Sequence, residues 1–172
     1  IIIFMGDNGM FLGEHGMEGK WYGYEESIRV PLLIYDPNMP DKIRQYKAPQ
    51  IALNIDIAPT ILAMAGVPAP KQMQGINLID LVKNKLPERN DFFYQHYFLG
   101  GPRIPQVEGV VTKDFKYMNY IEHNYEELND VKHDPHETTN LVNDPKYKKE
   151  LTALRRRYKE LGKIYAVPPK QK

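Results

Sequence analysis

An uninterrupted apolar run, Ile1-Ile2-Ile3-Phe4-Met5, broken at once by Gly6-Asp7-Asn8-Gly9, limits what this chain can fold into more than any other feature. Five apolar residues without alternation predict a strand in the centre of a sheet covered on both faces. In open α/β sheets, ligands bind beyond the carboxyl ends of such strands. Asp7 and Asn8 therefore fall where chemistry is usually done, and both present hard oxygen atoms suited to Ca²⁺ or Mg²⁺. Asp-Asn-Gly is also a common turn sequence, so its neighbours decide the reading. Gly6 is expected to permit a backbone turn there that a bulkier residue would resist.

Those neighbours are Leu12-Gly13-Glu14-His15-Gly16, Gly19-Lys20 and Tyr24-Glu25-Glu26-Ser27-Ile28-Arg29-Val30-Pro31-Leu32. In order and spacing they resemble the sulfatase family of the alkaline-phosphatase-like superfamily. The similarity continues through Asp56-Ile57-Ala58-Pro59-Thr60 and Gln74-Gly75. Later it includes Asp114-Phe115-Lys116-Tyr117, Glu127-Leu128-Asn129-Asp130-Val131, Asp134-Pro135, Glu137 and Asn140-Leu141.

The resemblance implies that Asp7 and Asn8 hold a divalent cation, normally calcium and otherwise magnesium, beneath a sulfate group. It implies that Lys20 contacts the sulfate oxygens and that His15 supports the site or touches substrate. His96 and Arg103 are candidates to reach substrate from the carboxy-terminal part. Glu14 is a candidate to orient His15, while Glu25, Glu26 and Arg29 read as ion pairs on a helix face.

Family catalysis uses a formylglycine made from Cys or Ser in a Cys/Ser-x-Pro-Ser-Arg type motif. This chain has no Cys, and its only Ser is Ser27, far from any such motif. Two further acidic metal ligands of the family also have no match. The expectation is therefore a carboxy-terminal piece of a longer sulfatase, inactive alone, whose partner is the amino-terminal part of the same enzyme. Its substrate is expected to be a sulfated small molecule or glycan. A periplasmic, secreted or lysosome-like compartment follows from family resemblance alone. Two alternatives stay open: a phosphoester or phosphonate hydrolase of the same superfamily, and a non-catalytic binding module.

The chain has 172 residues with 42% apolar and 11% aromatic content, an ordinary globular composition able to bury one real core. No apolar run approaches the roughly 18 residues of a membrane span. The net charge of +1 hides an asymmetry. From Lys146 to Lys172 there are ten basic and two acidic residues, leaving thirteen basic and twenty acidic before them. Such a tail resembles a nucleic-acid arm, yet Tyr147, Leu151, Leu154, Tyr158, Leu161 and Tyr165 recur at helical spacing. That stripe predicts a helix docked on the domain, with Arg155, Arg156, Arg157 and Lys159 on its solvated side and no nucleic-acid role.

The organisation expected is α/β. Residues 1–86 form the carboxy-terminal part of a catalytic α/β domain. They hold a short helix near Tyr24 to Ile28, a strand at Pro31 to Tyr35, and a helix from Ile57 to Ala65 capped by Asp56 and closed by Gly66. Residues 87–172 form a small antiparallel sheet with strands at Phe92 to Phe98, Glu108 to Thr112, Phe115 to Ile121 and Glu127 to Val131. A hairpin turn is expected at Thr112-Lys113-Asp114, and the long helix covers the sheet. His123, His133 and His136 read as surface residues.

Overall fold

The computed structural model describes residues 1–43, 45–97 and 104–166. Packing groups the chain into two compact units, Ile1–Tyr35 with Asp91–Lys172, and Asp36–Asn90. This partition is not the single boundary at residue 86 expected from composition, because residues 1–35 pack with the carboxy-terminal part. Among the described residues no helix is long and apolar enough to cross a membrane.

In the first unit, β1 (Ile2–Met5) leads into two short strands, β2 (Phe11–Leu12) and β3 (Glu18–Gly19), then helix α1 (Glu25–Ile28) and β4 (Leu32–Tyr35). β1 pairs antiparallel with β4, in the register Ile2 to Tyr35 and Phe4 to Leu33. The covered central strand expected for β1 is not what forms among the described residues. Ile2 and Phe4 are 64% and 62% exposed, and their partners Tyr35 and Leu33 are exposed beside them. A two-stranded ladder has only one face that its own loops can cover, so the second apolar face meets solvent.

The second unit contains α2 (Ile57–Met64) and α3 (Leu78–Val82). Gly66 closes α2 with a left-handed φ of 71°, and the Val67 amide donates to the Leu62 carbonyl. Asp56, expected as the side-chain cap of α2, makes no cap hydrogen bond to that helix. It is fully buried, takes a two-pronged ion pair from Arg89 at 2.6 Å on each arm, and accepts the Leu53 and Ile76 amides. A buried carboxylate needs its charge and lone pairs satisfied, and these four donors outcompete capping. Gly75 is needed because a Cβ there would lie 1.9 Å from the Ile55 carbonyl oxygen.

The carboxy-terminal strands form an antiparallel meander: β5 (Asp91–His96), β6 (Val107–Thr112), β7 (Lys116–Tyr120) and β8 (Tyr125–Asn129). The Thr112 to Phe115 turn closes with a backbone hydrogen bond and a Thr112 hydroxyl donated to the Phe115 carbonyl at 2.8 Å. Helix α4 (Lys148–Tyr165) follows a short 3-10 turn, and the Asp144 side chain accepts the Lys146 amide there. Register places Phe93, Val110, Tyr117 and Leu128 on one sheet face. Leu151, Leu154 and Leu161 of α4 pack on that face with Tyr158.

The opposite face carries Phe92, Val111 and Lys116, then Tyr94, Met118 and Glu127, then His96, Val107 and Tyr120. It is covered by the segment around Tyr22 and Ile28, so the sheet is sandwiched between α4 and the stretch that holds the sequence motif. Gly23 lies so close to Met118 that a Cβ would sit 2.9 Å from its sulfur.

Candidate functional site

Asp7 and Asn8 follow β1 directly. Asp7 is exposed and its Oδ1 accepts the Asn8 amide at 2.9 Å. Gly9 turns the chain against α1, donating to the Ser27 carbonyl at 2.8 Å, and a Cβ there would lie 2.0 Å from the Glu26 carbonyl oxygen. The glycine that this turn needs is therefore Gly9. Gly6 has a negative φ and only ordinary contacts for an added Cβ, so the role expected for it is not observed.

Lys20 reaches back across the loop and donates to Asn8 Oδ1 at 2.6 Å. The same ammonium lies 5.0 Å from the centroid of the Trp21 ring, within cation–π range. Trp21 in turn packs at 5.5 Å on the ring of His96, which comes from the end of β5. Burial, and then the nearby Lys20 charge, hold the His96 imidazolium below the ordinary histidine range. Among the described residues His96 Nδ1 is buried without a hydrogen-bond partner. The structure thus links Asn8, Lys20 and His96, with Asp7 next to Asn8 in the chain.

The backbone around them is held in uncommon conformations. Gly13, Gly16 and Gly19 have φ of 124°, 69° and 86°, and His15 and Trp21 adopt 56° and 98°. A bulky residue at positive φ is strained by about 1–3 kcal/mol and persists where its surroundings fix it, often at functional sites.

His15 belongs to a different part of the loop. Its ring stacks on Tyr24 at 4.0 Å and meets Phe11 edge-on at 6.1 Å, and its Nε2 lies 3.4 Å from Glu26. Glu14, expected to orient it, instead accepts the Leu12 amide, and this holds the Glu14 carboxyl below its usual range. His15 connects to the Asp7-Asn8 turn through Glu26, whose backbone abuts Gly9. Arg103 lies outside the described residues. His133 and His136 are exposed, as expected, with His133 paired to Asp130.

Three functional supports were not assigned from sequence. Trp21 is the only tryptophan and forms the wall between Lys20 and His96. Lys116 is fully buried and its ammonium contacts Glu25 at 2.8 Å, Glu137 at 2.9 Å and the Gly23 carbonyl at 3.0 Å. Glu137 also accepts the Glu25 amide at 2.7 Å, and burial raises its carboxyl above the usual range. Glu127 accepts hydroxyls from Tyr24 at 2.6 Å and Tyr120 at 2.9 Å. Burial, reinforced by that carboxylate, raises both phenols. The signal for Lys116 was its place at period 2 with Met118 and Tyr120, on the inward side of β7.

The donor set fits a hard divalent cation in kind and only partly in number. Asp7 and Asn8 offer hard oxygens, whereas calcium takes about six to eight. Among the described residues no group of three or more His, Cys, Asp or Glu side chains forms a metal cage. Lys20 already places positive charge on the amide oxygen of Asn8.

A family model described as N-sulphoglucosamine sulphohydrolase, C-terminal, matches residues 13–163. The N-acetylglucosamine-6-O-sulfatase of Bacteroides thetaiotaomicron is 36% identical over 125 residues, covering 70% of this chain and 22% of the relative. A structure solved in complex with its substrate, D-glucosamine-2-N,6-O-disulfate, superposes with a TM-score of 0.82 at 31% identity. That match covers 99% of this chain and 36% of the other. A phosphonate monoester hydrolase of Agrobacterium radiobacter shares the fold at a TM-score of 0.80 and 22% identity, covering 94% of this chain and 34% of the other. The chain thus spans about a fifth of the length of the sulfatase from Bacteroides thetaiotaomicron and about a third of the length of the substrate-bound structure.

Proposed function

Since this chain belongs to the N-sulphoglucosamine sulphohydrolase C-terminal family of sulfatases, we propose that it forms the sulfate-gripping side of an enzyme that hydrolyses sulfate esters of amino sugars. The observation that carries this reading is the Lys20 ammonium on Asn8 Oδ1, immediately beyond β1 and beside His96. An ammonium is a compact point charge suited to neutralising the oxygens of a tetrahedral anion that must be gripped and released. The amino-sugar class rests on the two relatives whose names carry glucosamine.

In this reading Asp7 and Asn8 would hold a divalent cation, calcium or magnesium, together with ligands from beyond these residues. When bound, that cation supplies Lewis-acid polarisation of the sulfate. Lys20 grips sulfate oxygens, while the Trp21 face and His96 bound the space next to them. His15 supports the loop through Glu26 and Tyr24. The nucleophile is not among these residues: the chain has no Cys, and Ser27 is 6% exposed with its carbonyl engaged by Gly9. The 172 residues alone are therefore expected to show no turnover.

A second reading, phosphonate or phosphate ester hydrolysis on the same scaffold, is favoured only by the shared fold of the phosphonate monoester hydrolase. The test uses a longer protein that contains this chain and turns over a sulfate ester. There Lys20→Ala should reduce turnover of a glucosamine sulfate by about 10²–10³ with the thermal midpoint unchanged, as expected for loss of an oxyanion contact. Lys20→Arg should also be impaired, since a planar fork does not replace a point charge. Near wild-type turnover in Lys20→Ala, or a phosphonate ester consumed faster than the sulfate ester, would overturn the reading.

A further inference from the structure

The outward face of α4 lies diametrically opposite the stripe that packs on the sheet. At about 100° per residue, Lys149, Thr152, Arg156, Lys159 and Lys163 fall on one line, while Leu151, Leu154, Tyr158 and Leu161 fall on the other side. The spacing of three, four, three and four carries this line over about 21 Å at 1.5 Å per residue. Lys149, Arg156, Lys159 and Lys163 are all exposed.

The helix sorts its cations into two groups. Arg155 is engaged by Glu126, and Arg157 is clamped by Asp91 at 2.6 and 3.0 Å, which raises both guanidinium pKa values. These flanking arginines fasten the helix to β8 and β5. On the outward line, by contrast, no ion pair forms to Lys149, Lys159 or Lys163 among the described residues, and Arg156 has a single loose contact to Glu160 at 3.7 Å. Glu160 is the one acidic residue on the exposed face, and it is shared with Arg157 at 3.3 Å. Solvated charge is ordinary on the outer face of a docked helix, but here four cations align with only one loosely held acid beside them. Four cations in a line repel one another and gain from a partner carrying repeated negative charge along its length.

We propose that this face of α4 binds a linear sulfated polysaccharide. The surface itself is fixed by geometry, and the choice of a sulfated glycan over another polyanion rests on the amino-sugar sulfatase reading above. Such a polymer presents sulfates at regular intervals along an extended chain, which a straight row of separate ammonium and guanidinium groups can track. The proposed role is to retain the polymer on the protein while its sulfate esters are processed.

The experiment compares the 172-residue chain with Lys149→Glu/Arg156→Glu/Lys163→Glu and with a control, Lys47→Glu/Lys71→Glu/Lys83→Glu, which makes the same net charge change at exposed lysines elsewhere. Binding to a fluorescent heparin dodecasaccharide is measured across salt concentrations, with circular dichroism melting to show that each variant folds. Wild type and control should bind alike, and the helix variant should lose at least tenfold in affinity at about 0.1 M salt. Its log affinity against log salt should be shallower by about three, one per cation removed, as for counterion release from a polyanion. Equal loss in the control, or no loss in the helix variant, would overturn the proposal, as would tighter binding of a single-stranded DNA of the same length and charge. The assay reads no turnover. A failure of the sulfatase reading would appear as absent sulfate-ester hydrolysis by the longer protein that contains this chain, with heparin binding by α4 intact, and a failure of this proposal as intact hydrolysis of a monosaccharide sulfate by that longer protein with no polymer bound by α4.

Discussion

The two faces of the four-stranded sheet are held by different physics. Toward α4, an aliphatic and aromatic contact, in which Val110, Tyr117 and Leu128 meet Leu151, Leu154 and Leu161, is joined by polar ties: Arg155 to Glu126, Arg157 to Asp91, and the Tyr158 hydroxyl donated to Glu108. Toward the motif segment, apolar packing of Met118 and Val107 is interrupted by two buried polar clusters, Lys116 with Glu25 and Glu137, and Glu127 with Tyr24 and Tyr120. An apolar contact is non-directional and tolerates small shifts. Buried charges and hydroxyls are directional, and each one left unpaired costs more than the bond it loses. The face toward α4 thus draws mainly on apolar burial for stability, while the other face, with Lys116 and Glu127 at its buried clusters, fixes where Gly23 to Ser27 must lie, and with them Gly9 and the Asp7-Asn8 turn.

The largest effect expected from breaking this contrast is at Lys116. Lys116→Met keeps length and removes the charge, leaving two carboxylates facing each other inside the protein. Loss of one partner from a buried ion pair costs about 3–5 kcal/mol. Denaturant unfolding should show that loss. Hydrogen exchange should show where it falls: the Gly9, Glu25 and Ser27 amides should open ahead of the β6 and β7 amides. A variant that loses stability evenly across the sheet, or loses none, would mean that the polar face does not govern the loop.

On the other face, Leu154→Ala should cost about 3 kcal/mol, within the range for truncating a buried leucine. Its signature is the reverse. The melting midpoint should fall while the exchange of Gly9 and Glu25 amides relative to the sheet stays as in wild type. If the loop amides open first here as well, the two faces are coupled and the distinction between them collapses.

The same contrast explains what could be read from residues alone. The α4 stripe, the four strands, the hairpin turn at Thr112 and the Gly66 closure were legible, because each rests on local periodicity or on one residue's backbone preference. The positions of Asp7, Asn8 and Lys20 after β1 were legible through motif order. Lys116 was not, because a lysine in a strand is ordinarily outward, and its partner Glu137 lies 21 residues on at a turn. Asp56 was misread as a cap because its competitor, Arg89, is 33 residues away. The covered central strand expected at β1 is not seen among the described residues for a related reason: an apolar run reports that a surface is apolar, and cannot say which chain covers it. Ile2 and Phe4 remain exposed among the described residues.

The smallest effect, and the most direct probe of whether the polar sheet face meets the loop that carries Asn8 and Lys20, is the titration of His96. Burial lowers its pKa first and the Lys20 charge lowers it further. With the folded value below the unfolded one, the folded chain resists the proton. The stability tied to this group is therefore present above the ordinary histidine range near 6.5 and is lost as pH falls through that range toward the folded value. Lys20→Met preserves length while removing the charge, so the His96 titration should move upward and yet stay below the ordinary range, because burial persists. The C2 proton of His96 followed by NMR between pH 4 and 8, assigned with His96→Gln, reads this shift. A His96 curve unchanged by Lys20→Met would place the ammonium too far away to be felt. The strand end would then fall outside the proposed site, leaving Asp7, Asn8 and Lys20 as a group built from the loop alone.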